Sequence, residues 1–358
     1  DEYLAAVNQL KSHIQRGDVY EVTFCQEYFA QARVDPFVGY HQLGELSPAP
    51  FSCFYRLDHR YLLSASPERF LSKVGNHLIS QPIKGTIGRG STPEQDRQHR
   101  ERLSQDIKEQ AEKLLFYSNV AHSPVRARAA QRLTDLAPDG LGNVFFANSG
   151  SEANETALKL ARKYTGRAGV VALEQGWHGR TLGSLAPTHD EQYRAPYADV
   201  LPETTWVPVG DLDAAEAVLS SEEIAAVLLE PIQSIAGMRK VPAGYVQGLR
   251  ALCDEHGTLL IFDEVQTGVG RTGAFSMSEP LGATPDLIAL AKSLGAGVPV
   301  SAVLVDDAVA ATVETGDQGS TFGGGMLAMA AVEATLRTLV EDELMDRAPE
   351  IYAHVADA

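Results

Sequence analysis

Thr258-Leu-Leu-Ile-Phe262 runs straight into Asp263-Glu-Val-Gln266, and a lysine between small residues, Ala291-Lys292-Ser293, follows further on. A short, wholly apolar run of this kind suits a strand covered on both faces, as in a mainly parallel sheet sandwiched by helices. The same style extends outward in both directions. Val144-Phe-Phe-Ala147, Gly169-Val-Val-Ala-Leu173, Ile224-Ala-Ala-Val-Leu-Leu229, Leu287-Ile-Ala-Leu290 and Ser301-Ala-Val-Leu-Val305 repeat it. Helix-patterned stretches lie between them, such as Gly244 to His256, which Gly257 stops. From Val144 onward the chain therefore reads as α/β.

The first hundred residues read differently. Phe51-Ser-Cys-Phe-Tyr55 and Arg60-Tyr-Leu-Leu-Ser64 alternate in polarity, which predicts antiparallel strands with one wetted face. Arg89 to Gln110 is charge-rich and turns helical, and no repeat or low-complexity tract interrupts the chain. The two styles meet in the helix-like stretch Asp96 to Leu115, so the reading divides the chain into 1–108, an α+β fragment, and 109–358, an α/β domain.

With 358 residues, 44% of them hydrophobic and 22% charged, the chain is long enough for a substantial core. A formal net charge of −17 argues against nucleic-acid or anionic-membrane partners, which call for basic patches. Cys25, Cys53 and Cys253 lack metal-ligand spacing, so no metal is expected. Neither a signal peptide nor a bilayer-length apolar stretch is seen, and the expected location is the cytoplasm.

Asn148-Ser-Gly-Ser-Glu-Ala-Asn-Glu155 follows one strand and opens a helix, with capping-box spacing between Ser149 and Glu152. Ser149, Gly150 and Ser151 there present backbone N–H groups at the positive end of a helix dipole, a cradle for phosphate. Trp177, in Gln175-Gly-Trp-His-Gly-Arg-Thr181, is able to stack on a planar ring. The pair Asp263 and Lys292 fits what pyridoxal phosphate needs: an amine to hold its aldehyde and a carboxylate to keep its pyridine nitrogen protonated.

Taken in order, Asn148–Glu155, Trp177-His-Gly-Arg-Thr181, Glu230-Pro-Ile-Gln233, Asp263-Glu-Val-Gln-Thr-Gly268, Lys292 and Gly319-Ser-Thr-Phe-Gly323 resemble the class III aminotransferases, over about Ile107 to Ala358. The resemblance implies the fold type I large domain of pyridoxal phosphate enzymes. Lys292 would carry the cofactor and shuttle the substrate proton, and Asp263 would sit on the pyridinium nitrogen. Gln266 would contact the ring hydroxyl, Trp177 would cover the ring, and Gly150 with Ser151 would hold the phosphate. His178 and Glu230, in the same motifs, join the set of cofactor-site residues. Thr321 would reach the phosphate of a neighbouring subunit, which implies a homodimer with shared sites. The implied reaction moves an amino group from an amino acid or ω-amine donor to a 2-oxo acid, habitually 2-oxoglutarate.

Two departures stand out. Relatives that use ω-amino donors often have Gly-Glu after Glu-Pro-Ile-Gln, where this chain has Ser234-Ile235, and Gly324-Gly325-Met326 replaces the common Gly-Gly-Asn-Pro. The small C-terminal domain of the family, with its substrate-binding arginine, is expected to be truncated here.

Upstream, Ile14–Tyr20, Ser47-Pro-Ala-Pro50, Ser64-Ala-Ser-Pro-Glu-Arg-Phe70 and Pro82-Ile-Lys-Gly-Thr86 resemble chorismate-binding enzymes, and Lys84 points to the aminodeoxychorismate synthase component I branch. By that resemblance Lys84 matches a nucleophile and Glu68 an acid. The later half of that family, with its Mg²⁺-holding Glu residues, does not follow, so both are expected to be vestigial. The leading reading is an aminotransferase with a non-catalytic extension; the alternatives are a chorismate enzyme and an inactive fusion remnant.

Overall fold

The computed structural model describes residues 35–46, 52–58, 60–64, 69–74, 77–81, 93–115, 117, 121–221 and 223–356. They fall into two compact units, one within Thr23–Gly85 and one from Thr86 onward.

The larger unit is built on seven strands: β1 (Asn143–Ala147), β2 (Gly169–Leu173), β3 (Thr204–Val207), β4 (Ile224–Leu229), β5 (Leu259–Asp263), β6 (Leu287–Leu290) and β7 (Ser301–Val305). Their order across the sheet is β1-β7-β6-β5-β4-β2-β3. All neighbours run parallel except β7, which is antiparallel to β1 and β6. Every residue of β4 and β5 is buried, as their unbroken apolar runs require of strands covered on both sides.

Six of the seven strands coincide with the apolar runs of the sequence. The seventh, β3, lies at the edge, and its Thr-Thr-Trp segment is only half-buried, so its pattern is too mixed to stand out. The reversed direction of β7 is also new, because a run buried on both faces carries no signature of strand direction.

Five helices frame the sheet: α1 (Pro93–Lys113), α2 (Pro124–Asp135), α3 (Gly150–Thr165), α4 (Ala243–His256) and α5 (Met326–Glu341). Side chains alternate across each strand. Leu259 and Ile261 of β5 join a core with Ala153, Ala157 and Leu160 of α3, whereas Leu260 and Phe262 join a second core with residues of α2, α4 and α5. The stop predicted at Gly257 is real: φ is +61° there, in the left-handed region that glycine enters without steric cost. Charge-rich α1 pairs with α5 through Arg102–Glu341 at 2.7 Å and through Arg337–Asp106.

The smaller unit holds a helix, Pro36–Leu46, and two antiparallel hairpins, Cys53–Leu57 with Arg60–Ser64 and Arg69–Val74 with His77–Gln81. The first hairpin pairs the two predicted strands in the register Cys53↔Ser64 to Leu57↔Arg60. Phe54 stacks on Phe37 of the helix, with ring centroids 4.5 Å apart, while Tyr55 and Leu62 are left exposed. Glu68 and Lys84 lie outside the described residues. Among the described residues, no helix is long and apolar enough to cross a membrane, and no cluster of His, Cys, Asp or Glu could hold a metal ion.

Candidate active site

Strands β6, β5 and β4 are adjacent and parallel, so their carboxyl ends share one edge of the sheet. Open α/β sheets bind ligands at this edge. Asp263 closes β5, Glu230 follows β4 and Lys292 stands two residues beyond β6. The amino terminus of α3 comes after β1, and Trp177 after β2. The period of two that puts Leu259 and Ile261 beneath α3 also turns Asp263 toward that helix.

Asp263 is buried, and both of its carboxylate oxygens are engaged. Its Oδ2 accepts a hydrogen bond from Asn154 Nδ2 at 2.8 Å and lies 2.8 Å from His178 Nδ1, while Oδ1 accepts from the Val265 backbone at 3.2 Å. Asn154 Nδ2 also donates to the His178 carbonyl at 2.7 Å, so one amide fixes both the carboxylate and the histidine backbone. His178 N donates to Thr188 Oγ1 at 2.9 Å. Glu230 Oε1 accepts from the Trp177 backbone N–H at 2.7 Å, which ties the Trp177 loop to the end of β4.

A cavity of about 180 Å³ brings together Gly150, Ser151, Trp177, His178, Glu230, Asp263, Gln266 and Lys292. The sequence reading nominated all eight. It also nominated Ser149 and Thr321, which are not among the lining residues. Ser149 caps α3, its hydroxyl accepting from Glu152 N at 3.3 Å, while Glu152 reaches back to Asn148 N at 3.0 Å. Thr321 is exposed. Asn154 went unnominated, although it sits at helical spacing with Ala157, Leu158 and Ala161. A lone amide on a buried stripe was the available signal.

Burial sets the electrostatics. The Glu230 carboxyl is pushed up to about 7, mainly by burial and further by Asp263, against the pull of His178 and the Trp177 and Ser234 backbone N–H groups. Lys292 is lowered from the ordinary lysine range, first by desolvation and then by Arg271, although Asp263 and Glu230 oppose this. Glu264 points to the opposite face from Asp263 and accepts from Ser276 Oγ, Thr267 Oγ1 and Met277 N, pinning the loop after β5. Burial raises it to about 7 as well. Lys292 itself adopts φ +48°, an uncommon conformation for a residue with a side chain.

Two features leave polar groups open to a ligand with an anionic group. The backbone N–H groups of Gly150 and Ser151, first in α3, have no acceptor among the described residues. Asn154 Oδ1 and His178 Nε2 are buried without a partner among the described residues.

A family model described as aminotransferase class-III matches residues 98–358, and one described as chorismate binding enzyme matches residues 1–121. An acetylornithine aminotransferase of Methanopyrus kandleri is 48% identical over 242 residues, which are 68% of this chain and 62% of the relative. A [LysW]-aminoadipate semialdehyde/glutamate semialdehyde transaminase of Sulfurisphaera tokodaii is 38% identical, over 69% of this chain and 63% of the relative. The solved ornithine aminotransferase of Toxoplasma gondii superposes with a TM-score of 0.69 at 28% identity, covering 79% of this chain and 73% of that one. The chain thus spans under two thirds of the length of these curated relatives.

Proposed function

The chain belongs to the class III aminotransferases, and from that premise we propose that it binds pyridoxal phosphate and transfers an amino group from an amino acid or ω-amine to a 2-oxo acid, 2-oxoglutarate first among the candidates. The observation that carries this is the meeting of Lys292, Asp263, Gln266 and Trp177 in one cavity beside the open amino terminus of α3. In this reading Lys292 would hold the cofactor's aldehyde and Asp263 its pyridine nitrogen. Gly150 and Ser151 would hold its phosphate, Gln266 would meet its ring hydroxyl and Trp177 would cover its ring. When bound, pyridoxal phosphate supplies an electron-withdrawing ring that stabilises negative charge on the substrate carbon.

The chain's own residues do the rest. Desolvation keeps a larger share of Lys292 as the neutral amine, the form that can take up a proton at Nζ and return it. Asn154 and His178 converge on Asp263 Oδ2 and orient its carboxylate. The half-buried Trp177 ring limits water on one side of the cavity. Acetylornithine and ornithine are the first donors to try, because relatives bear those names.

The purified chain, loaded with pyridoxal phosphate, is expected to show a lysine-dependent visible absorbance band that Lys292→Ala abolishes, and glutamate formation from 2-oxoglutarate with a suitable donor. A chain that shows no such band refutes the proposal. A homodimer in which Thr321 serves the neighbour's site belongs to the same reading. Its support is the exposed position of Thr321 away from its own cavity, and sedimentation as a monomer would remove it. We further propose that residues 1–108 are an extension without chemistry of its own, and 109–358 the cofactor-binding domain. An assay for chorismate turnover with ammonia and Mg²⁺ supplied tests the first point, and turnover would overturn it.

A further inference from the structure

Three backbone contacts fix the loop that carries Trp177: Trp177 N to Glu230 Oε1, His178 N to Thr188 Oγ1, and His189 N to the Gly176 carbonyl at 3.0 Å. None of them orients the indole ring. The ring is held from outside the cavity. Tyr193, on the short helix Glu191–Arg194, meets Trp177 edge to face, with centroids 4.9 Å apart and planes at 90°. The Arg180 guanidinium lies 4.9 Å from the centre of the Trp177 ring and 4.0 Å from that of Tyr193. A cation shared by two rings, which also touch each other, resists rotation of either one.

We infer that Tyr193 is a positioning residue that, with Arg180, sets the plane of the Trp177 ring and so the shape of the cavity wall offered to a flat heteroaromatic ligand. The contact needs the aromatic face and edge of Tyr193, since its hydroxyl takes no part in the geometry of the stack. The inference rests on the pyridoxal phosphate reading for the ligand, but not for the ring contact itself.

The test uses the full chain carrying Trp206→Phe, which leaves Trp177 as the single indole of the two in the sequence. Without cofactor, Tyr193→Leu is expected to raise acrylamide quenching of Trp177 emission about twofold, whereas Tyr193→Phe keeps the parent value because the ring is retained. With pyridoxal phosphate as probe, Tyr193→Leu should weaken binding about three- to tenfold, the loss of one aromatic pair, and flatten the dichroism induced in the visible band. Tyr193→Phe should restore both. Quenching and dichroism unchanged in Tyr193→Leu overturn the inference. A parent chain that takes up no pyridoxal phosphate defeats the functional reading, while the cofactor-free quenching still decides the role of Tyr193. If melting shows Tyr193→Leu to be unfolded, Arg180→Gln is judged by the same quenching assay. An unchanged value there overturns the stack as well.

Discussion

Ala225 to Leu229 and Leu260 to Phe262 are wholly removed from solvent, and Glu230, Asp263 and Glu264, next along the same two strands, are buried almost as deeply. Within the strands burial stabilises, by about 1.5–3 kcal/mol for each large aliphatic or aromatic side chain. At their carboxyl ends it costs free energy, since a carboxylate leaving water must be matched by donors. Among the described residues, Asp263 has Asn154, His178 and the Val265 backbone, whereas Glu230 has only two backbone N–H groups, one of them 3.5 Å away. The contrast teaches that one sheet serves two purposes: the aliphatic middle holds a scaffold firm enough to keep ionisable groups at its edge in a state that water would not favour.

The sharpest way to break this contrast is at the edge. In Lys292→Ala, the amino-transfer rate should fall by roughly 10²–10⁴, the usual worth of a positioned acid-base group, while the melting temperature stays close to the parent's. Single-turnover absorbance measures the first and calorimetry the second; a large loss of stability would mean that edge and scaffold are not separable. In the middle of the strand, Ile261→Ala should cost about 2–5 kcal/mol in urea unfolding, because Ile261 is fully buried between Leu228 and Leu287.

Asn154→Ala should cost less, about 1–3 kcal/mol, by stripping Asp263 of one donor. Unlike the core change it should also weaken cofactor binding, which fluorescence titration would read. Proton linkage gives a subtler effect. Glu230 and Glu264 bind protons in the folded chain up to about pH 7, against 4.5 for an ordinary glutamate. The folded state then carries more protons than the unfolded one between those values, so their contribution is full below pH 4.5 and is lost as pH rises through 7. Glu230→Gln should remove about half of that slope when urea midpoints are compared across the window, and an unaltered slope would show that Glu230 is not the group responsible. The smallest effect belongs to the other unit: Leu62→Ala, on the exposed face of its hairpin, should shift stability by about 0.5 kcal/mol or less.

The sequence was most legible where chemistry and periodicity coincide. Unbroken apolar runs announced the buried strands, and Gly257 announced the end of α4. The edge strand β3 escaped because half of its surface is wet. Asn154 escaped because a single amide within a helix looks like any other polar residue until its neighbours across the sheet are known. Ser149 and Thr321 were read for a backbone N–H and for a neighbouring subunit's site, and neither role requires a side chain that lines this chain's own cavity.

What the sequence by itself determined was the inventory: which segments must be buried, where helices stop, and which lysine, carboxylates and aromatic ring are set beside them. Those features depend on a few neighbouring residues and the solvent. Only the tertiary structure decided that β4, β5 and β6 lie side by side in one direction, so that residues 33 and 29 positions apart in the chain, Glu230, Asp263 and Lys292, end at the same edge. Strand order is a choice among distant pairings that bury the same apolar surface, and it is fixed by how the whole set of helices and strands packs at once.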